Sequence, residues 1–296
     1  MRSVDVTGRT MNHASTRTLP PPRMRWRWLR CNVHHLSLAY VLVAASGIAW
    51  FGWSPWMFGI PAVLLIALVT DGIARPGSGL FYPTLRHGAR DSRWVALTFD
   101  DGPDPVVTPQ VLDVLAEAGA RATFFVIGEK LAAQPELARR MVSEGHVLGN
   151  HSWRHSRWQN FRFPAWHAGE IRRGEQAIAA AGGTVPALYR PPVGLKSGEL
   201  ARAVHRLGLT LVAWSLHSRD TRLPDPEAIA TRVLKQVRGG DIVLLHDGHD
   251  LPGRSRPHCA AALRLILRGL REKGLDCVTV PELLAPAPTN GAQRAD

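Results

Sequence analysis

The stretch Trp94-Val95-Ala96-Leu97-Thr98-Phe99-Asp100-Asp101-Gly102-Pro103 decides the fold. Its first six residues are apolar and partly β-branched, the composition of a short strand buried on both faces. The run then stops on two adjacent carboxylates and a Gly-Pro turn. Backbone groups inside a sheet are used up by neighbouring strands. The C-terminal end of a strand opens instead into a loop, where side chains can converge on a ligand. Adjacent residues leaving a strand point in different directions, so Asp100 and Asp101 can take separate tasks at one site. Read alone, Asp-Asp-Gly-Pro is also an ordinary polar turn. The rest of the chain decides between the two.

Downstream, short apolar runs alternate with amphipathic stretches. Strands are expected at 94–99, 122–127, 146–149, 187–190, 209–214, 241–245 and 275–280, and helices at 108–118, 135–144, 165–181, 197–207, 226–237 and 258–273. The first helix reads as capped by Thr108, with Pro109 in its first turn and Gly119 past its end. Strict strand–helix alternation predicts an α/β fold with a parallel sheet, closed into a barrel or open, and covering helices.

Polar clusters fall at the ends of five of these strands. They are Asp100-Asp101, Asn150-His151-Ser152-Trp153-Arg154-His155, Arg190-Pro191-Pro192-Val193-Gly194, the run Trp214 to Thr221, and Leu244-Leu245-His246-Asp247. In parallel α/β proteins such ends share one face, the usual place for a site. His151 and His155 are four apart, so on a helical turn they would share a face and reach one ion. Two imidazoles and one carboxylate leave coordination positions open for water and substrate. His246 follows Ile242-Val243-Leu244-Leu245 directly, where a polar group needs a partner or a purpose. An arginine such as Arg190, brought near the first-strand aspartates, keeps one of them ionised. Asp247-Gly248-His249-Asp250 reads as a solvated loop. The chain lacks a Gly-x-Ser-x-Gly elbow, a phosphate loop ending in Gly-Lys-Ser/Thr, and a Gly-x-Gly-x-x-Gly fingerprint.

The N-terminal third differs. The chain of 296 residues carries a net charge of +12, and residues 1–35 hold seven arginines against Asp5 alone. A basic arm can serve nucleic acid. This arm, however, precedes thirty-five residues, Leu36 to Thr70, without Asp, Glu, Lys or Arg, an order that points to membrane orientation and away from nucleic acid. Pro55, Gly59 and Pro61 interrupt that segment, and Trp50, Trp53 and Trp56 cluster at the break. One tilted span places the remainder outside, the slightly favoured arrangement for a bacterial inner membrane. A two-helix hairpin returns it to the cytoplasm. The expected organisation is a disordered basic arm (1–35), membrane segment or segments (36–70), a linker (71–91), a catalytic domain (92–285) and a disordered tail (286–296). Cys31, Cys259 and Cys277 form no framework.

The five clusters, in this order and spacing, resemble the NodB-type polysaccharide deacetylases, carbohydrate esterase family 4, over about residues 92–285. The resemblance implies a distorted (β/α) barrel of about seven strands. It implies one divalent metal, Zn²⁺ first with Co²⁺, Ni²⁺ or Mn²⁺ as alternatives, on Asp101, His151 and His155. It implies Asp100 as catalytic base, Arg190 as the residue that orients it, and His246 as general acid. The backbone N–H of Val193 becomes an oxyanion donor, and Leu244, Pro191 and Trp214 line the substrate site. Two departures stand out. Val193 replaces a common aromatic. The fourth motif, usually Asp-x-x-Asp-Trp, reads His217-Ser218-Arg219-Asp220-Thr221. The missing aspartate would lower the pKa of His246 unless Asp220 supports it. The implied activity is removal of N-acetyl groups from a glycan: peptidoglycan, an exopolysaccharide or a chitin-like oligomer. A lipid-linked sugar or non-sugar amide on the same metal site is the first alternative. A catalytically weak glycan-binding membrane protein is the second.

Overall fold

This computed structural model describes residues 33–51, 55–184, 187–251 and 253–285. The elements run α1 (Val33–Phe51), α2 (Pro55–Ala74), β1 (Thr84–Leu85), β2 (Trp94–Asp100), α3 (Val107–Ala118), β3 (Thr123–Val126), α4 (Gly128–Ala133), α5 (Pro135–Ser143), β4 (Val147–Asn150), α6 (Pro164–Ala180) and β5 (Leu188–Tyr189). There follow α7 (Gly198–Arg206), β6 (Thr210–Val212), β7 (Leu216–His217), α8 (Pro226–Gln236), β8 (Ile242–His246), α9 (His258–Glu272), β9 (Asp276–Val278) and α10 (Val280–Leu284). The nine strands form one sheet in the order β1-β6-β5-β4-β3-β2-β8-β7, with β9 beside the first half of β2. Every named pairing is parallel. β1 and β7 are the two edges, so the barrel stays open between them. All seven expected strands are present. The two that sequence reading missed, β1 and β7, are two residues long each.

β2 is central because three strands pair with it. Its side chains alternate as strand geometry requires. Val95, Leu97 and Phe99 join the large core under the outer helices, and Ala96 joins the smaller core inside the barrel. Thr98 and Asp100 continue the inward row. β8 behaves alike: Val243 and Leu245 face the helices and Ile242 the interior. Leu244 and His246 therefore stand in register beside Thr98 and Asp100. Position 149 has room for glycine alone, because a Cβ there would lie 2.6 Å from the buried Phe125 ring. Gly149→Ala is expected to destabilise the fold by about 1–3 kcal/mol, read from a denaturation midpoint, because the ring has no empty space to enter.

Thr108 does not cap α3, which starts one residue earlier at Val107. The first amides of this helix are taken by Asp104 Oδ1, which accepts from the N–H groups of Val106 and Val107. This leaves the Thr108 hydroxyl free for other partners. Gly119 does end the helix, in the left-handed conformation.

The expected arm over 1–32 and tail over 286–296, with Cys31 and Trp53, lie outside the described residues. Val33, His34 and His35, assigned to the arm, open α1 instead. The uncharged segment forms two helices, and among the described residues no helix is long and apolar enough to cross a membrane. The single tilted span is thereby corrected to a broken pair, tied by a hydrogen bond from the Tyr40 hydroxyl to the Phe58 carbonyl. The region read as a plain linker is also built into the barrel. Its Thr84-Leu85 pairs with β6, and the Lys196 ammonium donates to the carbonyls of Pro76 (2.7 Å) and Ser78 (2.6 Å).

Candidate active site

The C-terminal ends of the strands bring the predicted residues together. Asp100, the last residue of β2, is buried and points into the barrel mouth. Arg190, just after β5, is fully buried rather than at the surface. It donates from Nη1 to Asp100 Oδ1 at 2.6 Å and to the Thr98 hydroxyl at 2.8 Å. Its remaining donors reach the carbonyls of Val212 and Ala213. The guanidinium carbon lies 3.9 Å from the centre of the Phe125 ring. A charge removed from water this completely is tolerable only with a partner and satisfied donors, and Arg190 has both. Its planar fork therefore fixes one oxygen of Asp100 and leaves Oδ2 to the site.

Asp101 leaves the strand at φ 69°, which turns its carboxylate away from that of Asp100. Its Oδ1 lies 3.6 Å from His151 Nε2 and 3.2 Å from His155 Nε2. One ligand atom from each of the three residues fits within 4.8 Å of the others, and all three are buried. The histidines do not meet on a helical turn as the spacing suggested. Residues 151–155 are a loop, with Ser152 at φ 71° and His155 at φ 53°. The Ser152 hydroxyl accepts the N–H of His155, and Asn150 Oδ1 accepts that of Ser152. This knot, rather than helical periodicity, brings the two rings to 4.9 Å.

The donor set fits a divalent cation. His151 Nδ1 lies 2.7 Å from the Arg190 carbonyl, which sets its proton there and leaves the Nε2 lone pair on the cluster. Asp101 Oδ1 is buried without a hydrogen-bond partner, an orphan that coordination would satisfy. Burial alone would raise the Asp101 carboxyl. The nearby imidazoles of His151, His155 and His246 outweigh it and hold the group well below the usual carboxylate range. Burial, then the charge of His151, lowers His155 to about 4, so it stays neutral and able to ligate at neutral pH.

His246 stands across the mouth, at the end of β8. Its Nδ1 lies 2.9 Å from Asp220 Oδ1, and its backbone N–H donates to Asp220 Oδ2 at 2.7 Å. Burial would lower this imidazole, yet the Asp220 carboxylate outweighs it and lifts it to about 9. The lowering expected from the altered fourth motif does not occur, because Asp220 occupies the contact. His217, where that motif usually has aspartate, has its ring 6.1 Å from that of His246 and 5.8 Å from that of Trp214. Burial, and then the charge of His246, lower it. Its Nδ1 accepts the N–H of Arg219, so Nε2 carries the proton.

The third-motif turn closes the site. Val193 has φ 58°, and its side chain is exposed. The N–H groups of Gly194 and Leu195 serve the turn itself, through the carbonyls of Pro191 and Pro192. That of Val193 stands outside this ladder. Pro191 and Leu244 are buried, and Trp214 is half-buried. A Cβ on Gly194 would come within 2.7 Å of the Trp214 ring, so glycine lets the turn sit on the indole.

Residues read as solvated belong to this frame. Asp247 is fully buried and accepts the Thr108 hydroxyl at 2.5 Å, and burial raises it to about 7. Asp250 pairs with Arg157 at 2.5 Å and with His249 at 3.1 Å. Its Oδ2 lies 3.8 Å from His155 Nδ1, behind a metal-ligand candidate. Lys130 donates to the carbonyls of Asp101 and His249. The sequence cue for Asp247, Asp250 and Lys130 was only that charged residues sit within four positions of a strand end.

Comparison with known proteins agrees with this architecture. A family model described as polysaccharide deacetylase matches residues 87–212. A peptidoglycan-N-acetylglucosamine deacetylase of Bacillus cereus is 40% identical over 192 residues, covering 64% of this chain and 87% of that protein. A chitooligosaccharide deacetylase of Bradyrhizobium (strain ANU 289) is 39% identical over 201 residues, covering 65% and 91% respectively. The crystal structure of the Bc1960 peptidoglycan N-acetylglucosamine deacetylase superposes with a TM-score of 0.64 at 30% identity, over 68% of this chain and 92% of that one. With two such relatives covered over most of their length and the same arrangement of parallel strands, the chain belongs to the polysaccharide deacetylases, the NodB-type hydrolases of carbohydrate esterase family 4.

Proposed function

We propose that the protein is a metal-dependent N-deacetylase of an N-acetylated glycan, with peptidoglycan or a chitin-like oligomer as substrate. The observation that carries this reading is the division of labour between neighbours. Asp101 faces two imidazoles, whereas Asp100 is held by Arg190 with one oxygen free. Asp101, His151 and His155 would hold a divalent cation, which when bound would supply a Lewis acid and lower the pKa of water at the site toward ~7. Asp100 Oδ2 takes the proton of the attacking water. The Val193 N–H donates to the developing oxyanion, a contribution typically worth about 2.7–4 kcal/mol. His246, held protonated on Nε2 by Asp220, delivers that proton to the departing nitrogen. The amide C–N bond breaks, and acetate and a free amino sugar leave. Leu244, Pro191 and Trp214 line the space about the acetyl group and the ring that carries it.

The test is acetate release by the full-length protein from N-acetylglucosamine oligomers and from peptidoglycan. Exhaustive chelation is expected to abolish release, and added Zn²⁺ to restore it. Undiminished release from metal-free protein would overturn the mechanism. Release from simple amides but no glycan would favour a non-sugar substrate.

The proposed division is a lipid-contacting hairpin (α1 and α2), a docked linker to about residue 91 and a catalytic domain from 92 to 285. Support for the first comes from Leu38, Val41, Leu42, Val43, Val63 and Leu64, all exposed on helices without a charge from Leu36 to Thr70. Water is a poor solvent for such a surface.

A further inference from the structure

Among the described residues, the barrel exposes six large apolar side chains: Val106, Trp158, Phe161, Phe163, Val193 and Leu251. All six stand on loops that follow strands, those after β2, β4, β5 and β8. The helix backs and the opposite barrel end carry none of them. Trp158, Phe161 and Phe163 are 70%, 80% and 79% exposed, which is unusual for aromatic side chains three and two residues apart in one loop. That loop, from His151 to Phe163, contains no acid, and Arg154 and Arg162 are exposed within it. Arg219 and Arg254 are exposed on neighbouring loops. Apolar tips set among basic side chains form one rim around the catalytic mouth.

The apolar hairpin is fastened to the same rim. The Lys196 N–H donates to the carbonyl of Ile73, in the last turn of α2. The Lys196 ammonium holds Pro76 and Ser78. A Cβ on Gly194 would touch the Pro76 ring at 3.1 Å. On the other side of this turn, the Gln159 amide donates to the Pro192 carbonyl at 3.3 Å. One turn, Pro191 to Lys196, therefore joins the root of the hairpin to the aromatic loop.

We propose that this rim docks on an anionic phospholipid surface, so that the catalytic mouth meets glycan carried at the membrane. The proposal rests on the reading of α1 and α2 as lipid-contacting. Side-chain chemistry favours lipid over a sugar platform. The Trp158 and Phe161 planes meet at 41° and offer no common flat face for a pyranose ring. Val106, Val193 and Leu251 are aliphatic and gain little from a sugar face, but do gain from an acyl boundary. Aromatics seat at the headgroup level, and arginines attract anionic headgroups. The substrate class that follows is an N-acetylated glycan attached to lipid or lying against the bilayer.

The experiment uses the full chain on vesicles of phosphatidylglycerol mixed with phosphatidylcholine, with bromine placed at a shallow acyl position. Subtracting the emission of Trp158→Phe from that of the unaltered protein isolates Trp158 from the tryptophans of the hairpin. The expected difference spectrum is blue-shifted and quenched by shallow bromine. Arg154→Gln/Arg162→Gln is expected to weaken that quenching, and pure phosphatidylcholine vesicles to abolish it. A Trp158→Ser/Phe161→Ser/Phe163→Ser variant is expected to hold its turnover of soluble oligomers. It should lose about tenfold on an N-acetylglucosaminyl lipid in the same vesicles. Protein that fails to float with vesicles overturns the hairpin reading and this one together. Protein that floats while Trp158 stays unquenched overturns this one alone. Equal losses on soluble and lipid-borne substrate would make the rim a sugar platform and also overturn it.

Discussion

Asp100→Asn is expected to lower kcat for acetate release by about 10²–10⁴-fold, the range for a displaced general base, with little change in bound metal. Asparagine keeps an oxygen for the Arg190 fork, now 2.6 Å from Asp100 Oδ1, but has no site for the water's proton. Alanine would be a poorer probe. Arg190 is fully buried, and a guanidinium left without its carboxylate costs about 3–5 kcal/mol of stability. The measurement pairs kcat with metal content and a thermal midpoint. Retained metal and midpoint with collapsed turnover assigns the proton to Asp100. Retained turnover would remove it from the mechanism, and lost metal would make it a ligand. The distances favour the first outcome: Asp101 approaches both imidazoles to 3.6 Å or less, and Asp100 Oδ2 lies 3.8 Å from His151 alone.

The strands of this barrel were legible because their apolar runs are long enough to show, and the strand-end clusters followed from parallel topology. What escaped was short or relational. β1 and β7 have two residues each, too few for any period. The pairing of His246 with Asp220, which the sequence offered only as an option, spans 26 residues, and the adjacency of β7 and β8 makes it. The approach of His151 to His155 was anticipated for the wrong local reason. Four-residue spacing suggests a helix, but two residues with positive φ and the side chains of Asn150 and Ser152 do the work. Residues 71–91 looked like a loose tether because Gly72, Pro76, Gly77, Gly79 and Pro83 punctuate them. Lys196, more than a hundred residues onward, supplies the donors that fasten them, and no local pattern records such a bond.

Asp220→Asn is expected to move the basic limb of the kcat–pH profile from near 9 toward 6.5. The carboxylate raises His246 to about 9 against a burial that acts in the opposite direction. With that charge gone, burial meets only the weaker pull of Asp101 and Asp100, and the imidazole falls back toward its ordinary 6.5. At pH 8 the unaltered acid is mostly protonated, whereas an imidazole at its ordinary 6.5 is protonated to about 3%, so the expected loss approaches about 30-fold. At pH 5.5 the two proteins should differ far less. Stability follows the same linkage. His246 has a folded pKa raised above its unfolded value. Its contribution is therefore fully present below about 6.5 and lost as pH rises through about 9. In the variant that alkaline loss shrinks as the folded pKa returns toward its unfolded value. An activity loss equal at pH 5.5 and pH 8 would mean that Asp220 only orients the ring and that His246 is not the group whose proton the leaving nitrogen receives. A limb that shifts together with a lower midpoint at neutral pH would tie both changes to the charge on His246. It would also show that the carboxylate supplied at the fourth position of the altered fourth motif is sufficient to keep the acid charged.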